Sequence, residues 1–227
     1  MVAPFLASQC RLEPINLNDP DQFNEVRRHR LVCGWDHEPS TLEKWKLKQN
    51  EGLKSFFWIV IPRPKSDLHS NSDLDSDTSQ NTSQDPPTIR IGHISLDAYS
   101  DPPDPELSRA DKSILAIQTF FVLPEYRSLR VGARALALVE KLALREPNCR
   151  VIALTALSKR YMYDEGLEGK GLWERIGEEM PPGSIQEWYE KKGYVGWKEE
   201  PRYETELKGG GTYWLREVFM RKVLREE

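Results

Sequence analysis

The sequence predicts a single α/β domain in which a mixed sheet is packed against helices. Three observations carry this. Residues 55–61 form a near-continuous aromatic and β-branched run, which reads as a strand buried on both faces. Further strand-like segments, with alternating residues at 88–98, follow at 88–98 and 113–123. From there to 224, strand-like and helix-like periods alternate.

Taken in order, residues 10–17 read as a short first strand. Asp19-Pro20 opens a helix through Phe23, Val26, Arg30 and Leu31, and Gly34 stops it. Ser40 with Glu43 three residues later is a capping box that starts a second helix ending near Gly52. Residues 64–87 are Ser, Asp, Asn, Gln, Thr and Pro with almost no apolar side chains, so they cannot offset the entropy of ordering. They read as a disordered loop inserted between two strands, with a phosphorylated regulatory segment as the functional alternative. Long insertions cost little stability, so one domain over 1–227 accommodates it.

Beyond the strand at 113–123, which ends at Pro124, residues 132–146 form an amphipathic helix. Its apolar face carries Ala135, Leu136, Val139, Leu142 and Ala143. A strand at 151–157, a glycine-containing region at 159–183 without a clear element, and a helix at 184–192 stopped by Gly193 follow. Residues 214–224 make a closing strand, and 194–203 offer one more.

Composition sets the broad class. The chain has 227 residues and 38% hydrophobic content, enough for one sizeable core. A formal net charge of -4 and an isoelectric point near 5.7 argue against a dedicated nucleic-acid binder. Cys10, Cys33 and Cys149 are odd in number and widely spaced, which reads as free thiols in a reducing compartment. The N-terminal residues lack a basic, then apolar, secretory pattern, and no run approaches a membrane span. A cytoplasmic or nucleocytoplasmic protein with no membrane partner is therefore expected, and the sequon at Asn81 reads as chance. No metal-ligand spacing appears, so no metal is expected.

The stretch richest in chemistry is 120–136. A buried strand enters a tight turn, and the turn feeds directly into the amphipathic helix. Such a helix start has unpaired amides and the positive end of the helix dipole. Gly132 and Ala133 in its first turn let an anion approach the backbone. The residues by themselves are equally compatible with an ordinary strand-to-helix connection.

Val122-Leu-Pro-Glu-Tyr-Arg127 followed by Ser-Leu-Arg-Val-Gly132-Ala resembles the acetyl-CoA pyrophosphate loop of the GNAT superfamily of N-acyltransferases. That loop reads Arg/Gln-x-x-Gly-x-Gly/Ala, commonly after Val-x-Pro-x-Tyr. Arg127 matches the first position and Gly132 the last, while Arg130 stands where the first glycine is usual. Trp188-Tyr-Glu-Lys-Lys-Gly193-Tyr194 resembles the Tyr-Glu-Lys-x-Gly-Phe signature of the same superfamily. The resemblance covers roughly 10–224, apart from the insertion.

It implies a GNAT-like mixed sheet, splayed between its central strands, with helices on both faces and the pantetheine arm in the gap. It implies acetyl-CoA as acyl donor and a primary amine of a small molecule or protein as acceptor. The amides of Leu129, Arg130, Val131, Gly132, Ala133 and Arg134, with Arg127, would hold the pyrophosphate. Phe121 and Val122 would offer backbone groups to pantetheine and the thioester carbonyl. Tyr189 falls at the position that protonates the departing thiolate.

The general base is less clear. Several members of the superfamily carry a Glu on the strand before the loop, but the corresponding face here presents Ala116, Gln118 and Phe120. Other candidates are His93, Asp97, Asp36 and His37. Trp35, Tyr161 and Tyr163 are candidate walls of an acceptor pocket. The missing Glu and Arg130 keep open an alternative, a catalytically inactive CoA-binding module.

Overall fold

The computed structural model describes residues 8–63 and 87–225. The insertion expected at 64–87 and the sequon at Asn81 therefore lie, but for residue 87, outside the described residues. The chain forms two compact units interleaved in sequence. One gathers the described residues of Met1–Leu96 with Thr119–Leu142, the other those of Asp97–Gln118 with Ala143–Glu227.

In the first unit, strand β1 (Arg11–Pro14) pairs antiparallel with β2 (Lys54–Pro62), matching Arg11 to Val60 and Pro14 to Phe57. β3 (Thr88–Asp97) lies beside β2, and the short β5 (Phe120–Val122) lies antiparallel on β3. Helix α1 (Pro20–Cys33) begins where the sequence predicts. The Asp19 carboxylate accepts from the N–H groups of Asp21 and Gln22, and Pro20 sits at the first helical position. Gly34, at φ 85°, ends the helix with its N–H on Arg30 O.

Helix α2 (Pro39–Asn50) corrects an expectation. Glu38 is its N-cap, without a side-chain cap bond, and Ser40 already lies inside the first turn. Pro39 has the fixed φ suited to the first helical position, so the helix starts ahead of the anticipated capping box. Both helices bury apolar side chains against the sheet: Val26, Leu42 and Trp45 pack with Ile15, Leu17, Phe56, Trp58 and Val60. Lys54, itself 3% exposed, has its ammonium 4.8 Å from the ring centres of both Trp45 and Phe56.

The second unit holds β4 (Ile114–Ala116), β6 (Val151–Leu157), β8 (Thr212–Val223) and β7 (Val195–Glu206), adjacent in that order. β4 runs parallel to β6; the other neighbours are antiparallel. β7 and β8 are joined by a turn in which Gly210 and Gly211 adopt φ 89° and 84°, a region glycine enters without steric cost. Short helices α4 (Arg160–Tyr163) and α5 (Gly171–Ile176) occupy the stretch with no clear sequence pattern. Helix α6 (Ile185–Glu190) is capped by Ser184, whose hydroxyl accepts from Glu187 N–H.

The single strand expected at 113–123 is two strands. Ile117 N–H donates to Ala153 O on β6, whereas Thr119 O accepts from Ser95 N–H on β3. The chain changes partner within two residues, and an alternating pattern cannot report that. Residues 124–129, read as a turn, form one stretch of 3₁₀ helix (Pro124–Leu129), and α3 (Val131–Ala143) follows.

Candidate active site

The strand–turn–helix segment lies in the first unit. β5 packs closely on β3 because Gly92 has no side chain: a Cβ there would sit 2.2 Å from Phe121 O. The register pairs Gly92 with Val122 and His93 with Phe121. Leu123 N–H donates to Ile91 O and Ser95 N–H to Thr119 O. Ladder bonds alternate along an antiparallel pair, so Phe120 and Val122 direct their amide groups to the opposite edge of β5. Val122 O on that edge accepts Arg127 Nε at 3.0 Å.

Arg127 therefore ties the turn back to the strand, and its guanidinium lies 5.6 Å from the centre of the Phe121 ring. Phe121 is buried, with its ring 5.7 Å from that of His93. Leu129 closes the 3₁₀ turn. Arg130 then adopts φ 60° and ψ 12°, the left-handed conformation. A glycine enters that region freely, whereas an L side chain there costs about 1–2 kcal/mol. The backbone shape of a glycine is thus kept by an arginine, at a cost in strain.

Val131 is fully buried and anchors the first turn of α3. Arg134 N–H makes the first helical bond in this turn, to Arg130 O at 3.4 Å. The amides of Val131, Gly132 and Ala133 precede it and are the unpaired donors of a helix start. A pyrophosphate fits this arrangement: unpaired amides, the positive dipole end, small residues at Gly132 and Ala133, and the exposed Arg130. Arg134 Nε is buried without a hydrogen-bond partner, and the guanidinium's charge opposes the burial that pushes the nearby Cys10 thiol up to about 11.

Tyr189 lies in the second unit, on α6, 6% exposed. Its ring packs 4.9 Å from Trp188 and 5.6 Å from Tyr194. Burial first, and then the nearby Glu217 carboxylate, hold its phenol well above the ordinary tyrosine range. It is a protonated donor throughout the physiological range.

The candidates for a general base are mostly occupied. His93 is fully buried among Phe56, Trp58, His29 and Phe121, and burial, then the charges of Arg30, His29 and Lys54, drive its imidazole to the neutral form. Asp36 accepts from Arg30 Nη2 at 3.0 Å, and His37 lies 3.4 Å from Glu38 at the surface. Gln118 donates from Nε2 to Asp97 Oδ2 at 3.0 Å and to Tyr99 O at 2.7 Å, and accepts from Asp101 N–H. Its amide is committed to the 97–101 segment. Tyr161, a candidate pocket wall, is instead core: it is fully buried with Leu172 and Leu215, and its hydroxyl accepts from Arg216 N–H at 2.9 Å. Trp35 and Tyr163 are exposed, and Tyr163 donates to Glu187 Oε2 at 2.7 Å.

Sequence reasoning missed Glu217. It lies on β8 between Leu215 and Phe219, 8% exposed, on the strand face that Thr155 and Leu157 of β6 share. Burial pushes its carboxyl up to about 8, against the opposing influence of the nearby Thr155 hydroxyl and Arg202 charge. The available signal was an acid between two apolar residues, Leu215 and Phe219, of one strand face.

The family model described as the acetyltransferase (GNAT) family matches residues 88–163, which include the whole strand–turn–helix segment. The chain has the GNAT fold. An aminoglycoside 6'-N-acetyltransferase complexed with coenzyme A superposes with a TM-score of 0.56 at 14% identity, covering 96% of this chain and 98% of that one. The spermidine/spermine N-acetyltransferase SpeG of Vibrio cholerae gives 0.53 at 11% identity, covering 96% and 95%. NAA60 of Arabidopsis thaliana in complex with acetyl-CoA gives 0.53 at 14% identity, covering 94% and 98%. No curated protein sequence matches. The superfamily resemblance and the mixed α/β class read from the sequence are thereby borne out. Among the described residues, no helix is long and apolar enough to cross a membrane, and no group of three or more His, Cys, Asp or Glu side chains is arranged to hold a metal ion.

Proposed function

We propose that this GNAT protein is an acetyl-CoA-dependent N-acetyltransferase acting on a primary amine of a small molecule or a protein. The observation that carries the reading is the turn at 127–134. Arg130 holds a left-handed backbone, which an arginine adopts only at a cost, immediately before three unpaired helix amides. The left-handed residue also ends the 3₁₀ turn, so it is its place directly before the start of α3, with small residues at Gly132 and Ala133, that supports an anion site. In this reading the amides of Val131, Gly132 and Ala133 hold the pyrophosphate, with Arg130 adding charge at the rim. The edge of β5 turned away from β3 would offer backbone groups of Phe120 and Val122 to the pantetheine arm, and Tyr189 would supply a proton to the departing thiolate. Support for acetyl-CoA also comes from structural neighbours that bind coenzyme A or acetyl-CoA.

A second reading, a CoA-binding module without catalysis, is favoured by one observation: Ala116, Gln118 and Phe120 put no carboxylate before the turn. Two measurements separate them. Coenzyme A should raise the melting temperature by mass action in either case. Thiol release from acetyl-CoA should then appear with spermidine, an aminoglycoside or a peptide with a free α-amine. Binding without release from any of these amines would favour the inactive module, and no thermal shift at millimolar coenzyme A would remove both.

A further inference from the structure

In the first unit, the turn after β5 folds one side chain back onto its own strand. Phe121 and Leu123 face β3, so the backbone groups of Val122 point to the other edge. No strand among the described residues pairs with that edge. Val122 O is nonetheless occupied there, by Arg127 Nε at 3.0 Å. Arg127 is exposed and forms no ion pair among the described residues; its guanidinium also lies 5.6 Å from the centre of the Phe121 ring.

An arginine that anchors a fold is commonly buried, or forked onto a carboxylate. This one directs a full charge at a single neutral carbonyl, and an exposed hydrogen bond of that kind adds little to stability. The same carbonyl is one that an extended pantetheine arm would use along β5. The turn that carries Arg127 ends at Arg130, directly before the unpaired amides of Val131, Gly132 and Ala133. We infer that Arg127 determines specificity for the acyl donor: it covers Val122 O and yields it to a ligand whose phosphates draw the guanidinium away. The inference rests on the acetyl-CoA reading above.

The exchange involves binding only, and no covalent bond changes. A carbonyl oxygen has two lone pairs, but the planar guanidinium is broader than the one N–H it presents and fills the approach along the edge. Phosphate oxygens accept from a guanidinium in pairs, with charge on both sides, a stronger bond than the one given up. A thioester carried on a nucleotide therefore offers something to both groups, an amide for Val122 O and phosphates for Arg127. A bare pantetheine thioester offers only the amide and must displace Arg127 without compensation. The donor class selected is a thioester of a nucleotide rather than of pantetheine alone.

The test compares wild type with Arg127→Met, which keeps an unbranched stem for the Phe121 ring and removes both donor and charge. Calorimetry measures the affinity of each protein for pantetheine, for ADP and for coenzyme A. In the variant, pantetheine should bind about 2–10-fold tighter, the worth of one hydrogen bond no longer competed for. ADP, which has the pyrophosphate and no arm, should bind about 2–10-fold weaker in the same variant. Changes of opposite sign are the signature, because an arginine that only shaped the turn would lower both affinities together. Pantetheine bound no tighter by the variant, undetected in both proteins included, or ADP affinity left unchanged, overturns the role of Arg127 alone. Coenzyme A that fails to bind wild type overturns that role and the acetyl-CoA reading together.

Discussion

The imidazoles of His29 and His93 are stacked, their centroids 5.7 Å apart and their planes within 28°. Both lie in the core of the first unit, and neither nitrogen of His93 has a hydrogen-bond partner. Burial is the largest influence on each and favours the neutral ring. Both groups therefore have folded-state values below the ordinary 6.5. The unfolded chain then binds protons first as pH falls, so stability is full above about pH 6.5 and declines below it. Urea unfolding at pH 8, 6.5 and 5 should show a loss approaching about 1.4 kcal/mol per pH unit for each proton taken up. His93→Phe fits the same aromatic surroundings and should flatten that decline; an unchanged slope would place its origin elsewhere.

Arg130 tests the strained turn. Replacing it with glycine relieves the left-handed strain and adds some unfolded-state entropy, so a net gain of about 0.5–1 kcal/mol is expected. Loss of its charge should weaken coenzyme A binding a few-fold at low salt, with a smaller effect at high salt. A variant less stable than wild type in thermal unfolding would show that the Arg130 side chain contributes more than its backbone costs.

Gly92 is a packing requirement. A methyl group 2.2 Å from Phe121 O forces β3 and β5 apart, so Gly92→Ala should destabilise by more than about 2 kcal/mol. Hydrogen exchange should rise first at Phe121 and Leu123, whose amides face β3. A variant as stable as wild type would mean that the two strands separate at little cost.

Gly132→Val places a branched side chain in the first turn of α3, where an anion would approach. Calorimetric coenzyme A affinity should fall at least tenfold while cooperative unfolding persists. Unchanged affinity would put the pyrophosphate elsewhere on the chain.

Tyr189→Phe keeps the ring contacts with Trp188 and Tyr194 and removes the phenolic proton. Coenzyme A affinity should stay within a few-fold, while turnover falls 10²–10⁴-fold, as for a lost general acid. Full turnover in this variant would make Tyr189 a packing residue, with water as the proton source.

Local chemistry was legible in the sequence. Asp19-Pro20 and Gly34 bound α1, the run around Trp58 is β2, and the 151–157 strand falls where its pattern puts it. These signals act within a few residues: a cap bonds amides two or three positions away, and glycine is set by its own φ. The strand-to-helix order from Phe121 to Arg134 was legible too, because an apolar strand run and a helical period are both local patterns.

Tertiary structure decided what depends on partners distant in the chain. The break between Ile117 and Thr119 exists because each bonds a different strand, Ala153 on β6 or Ser95 on β3, and the side chains of 113–123 carry no mark of it. The left-handed backbone of Arg130 is invisible in a residue type that rarely adopts it. Gln118 became a backbone clamp and Tyr161 a core residue only once their neighbours were assembled. Glu217 is one glutamate among many in the sequence. Its burial between Leu215 and Phe219 raises its carboxyl toward neutrality, and burial is a property of the packed sheet alone.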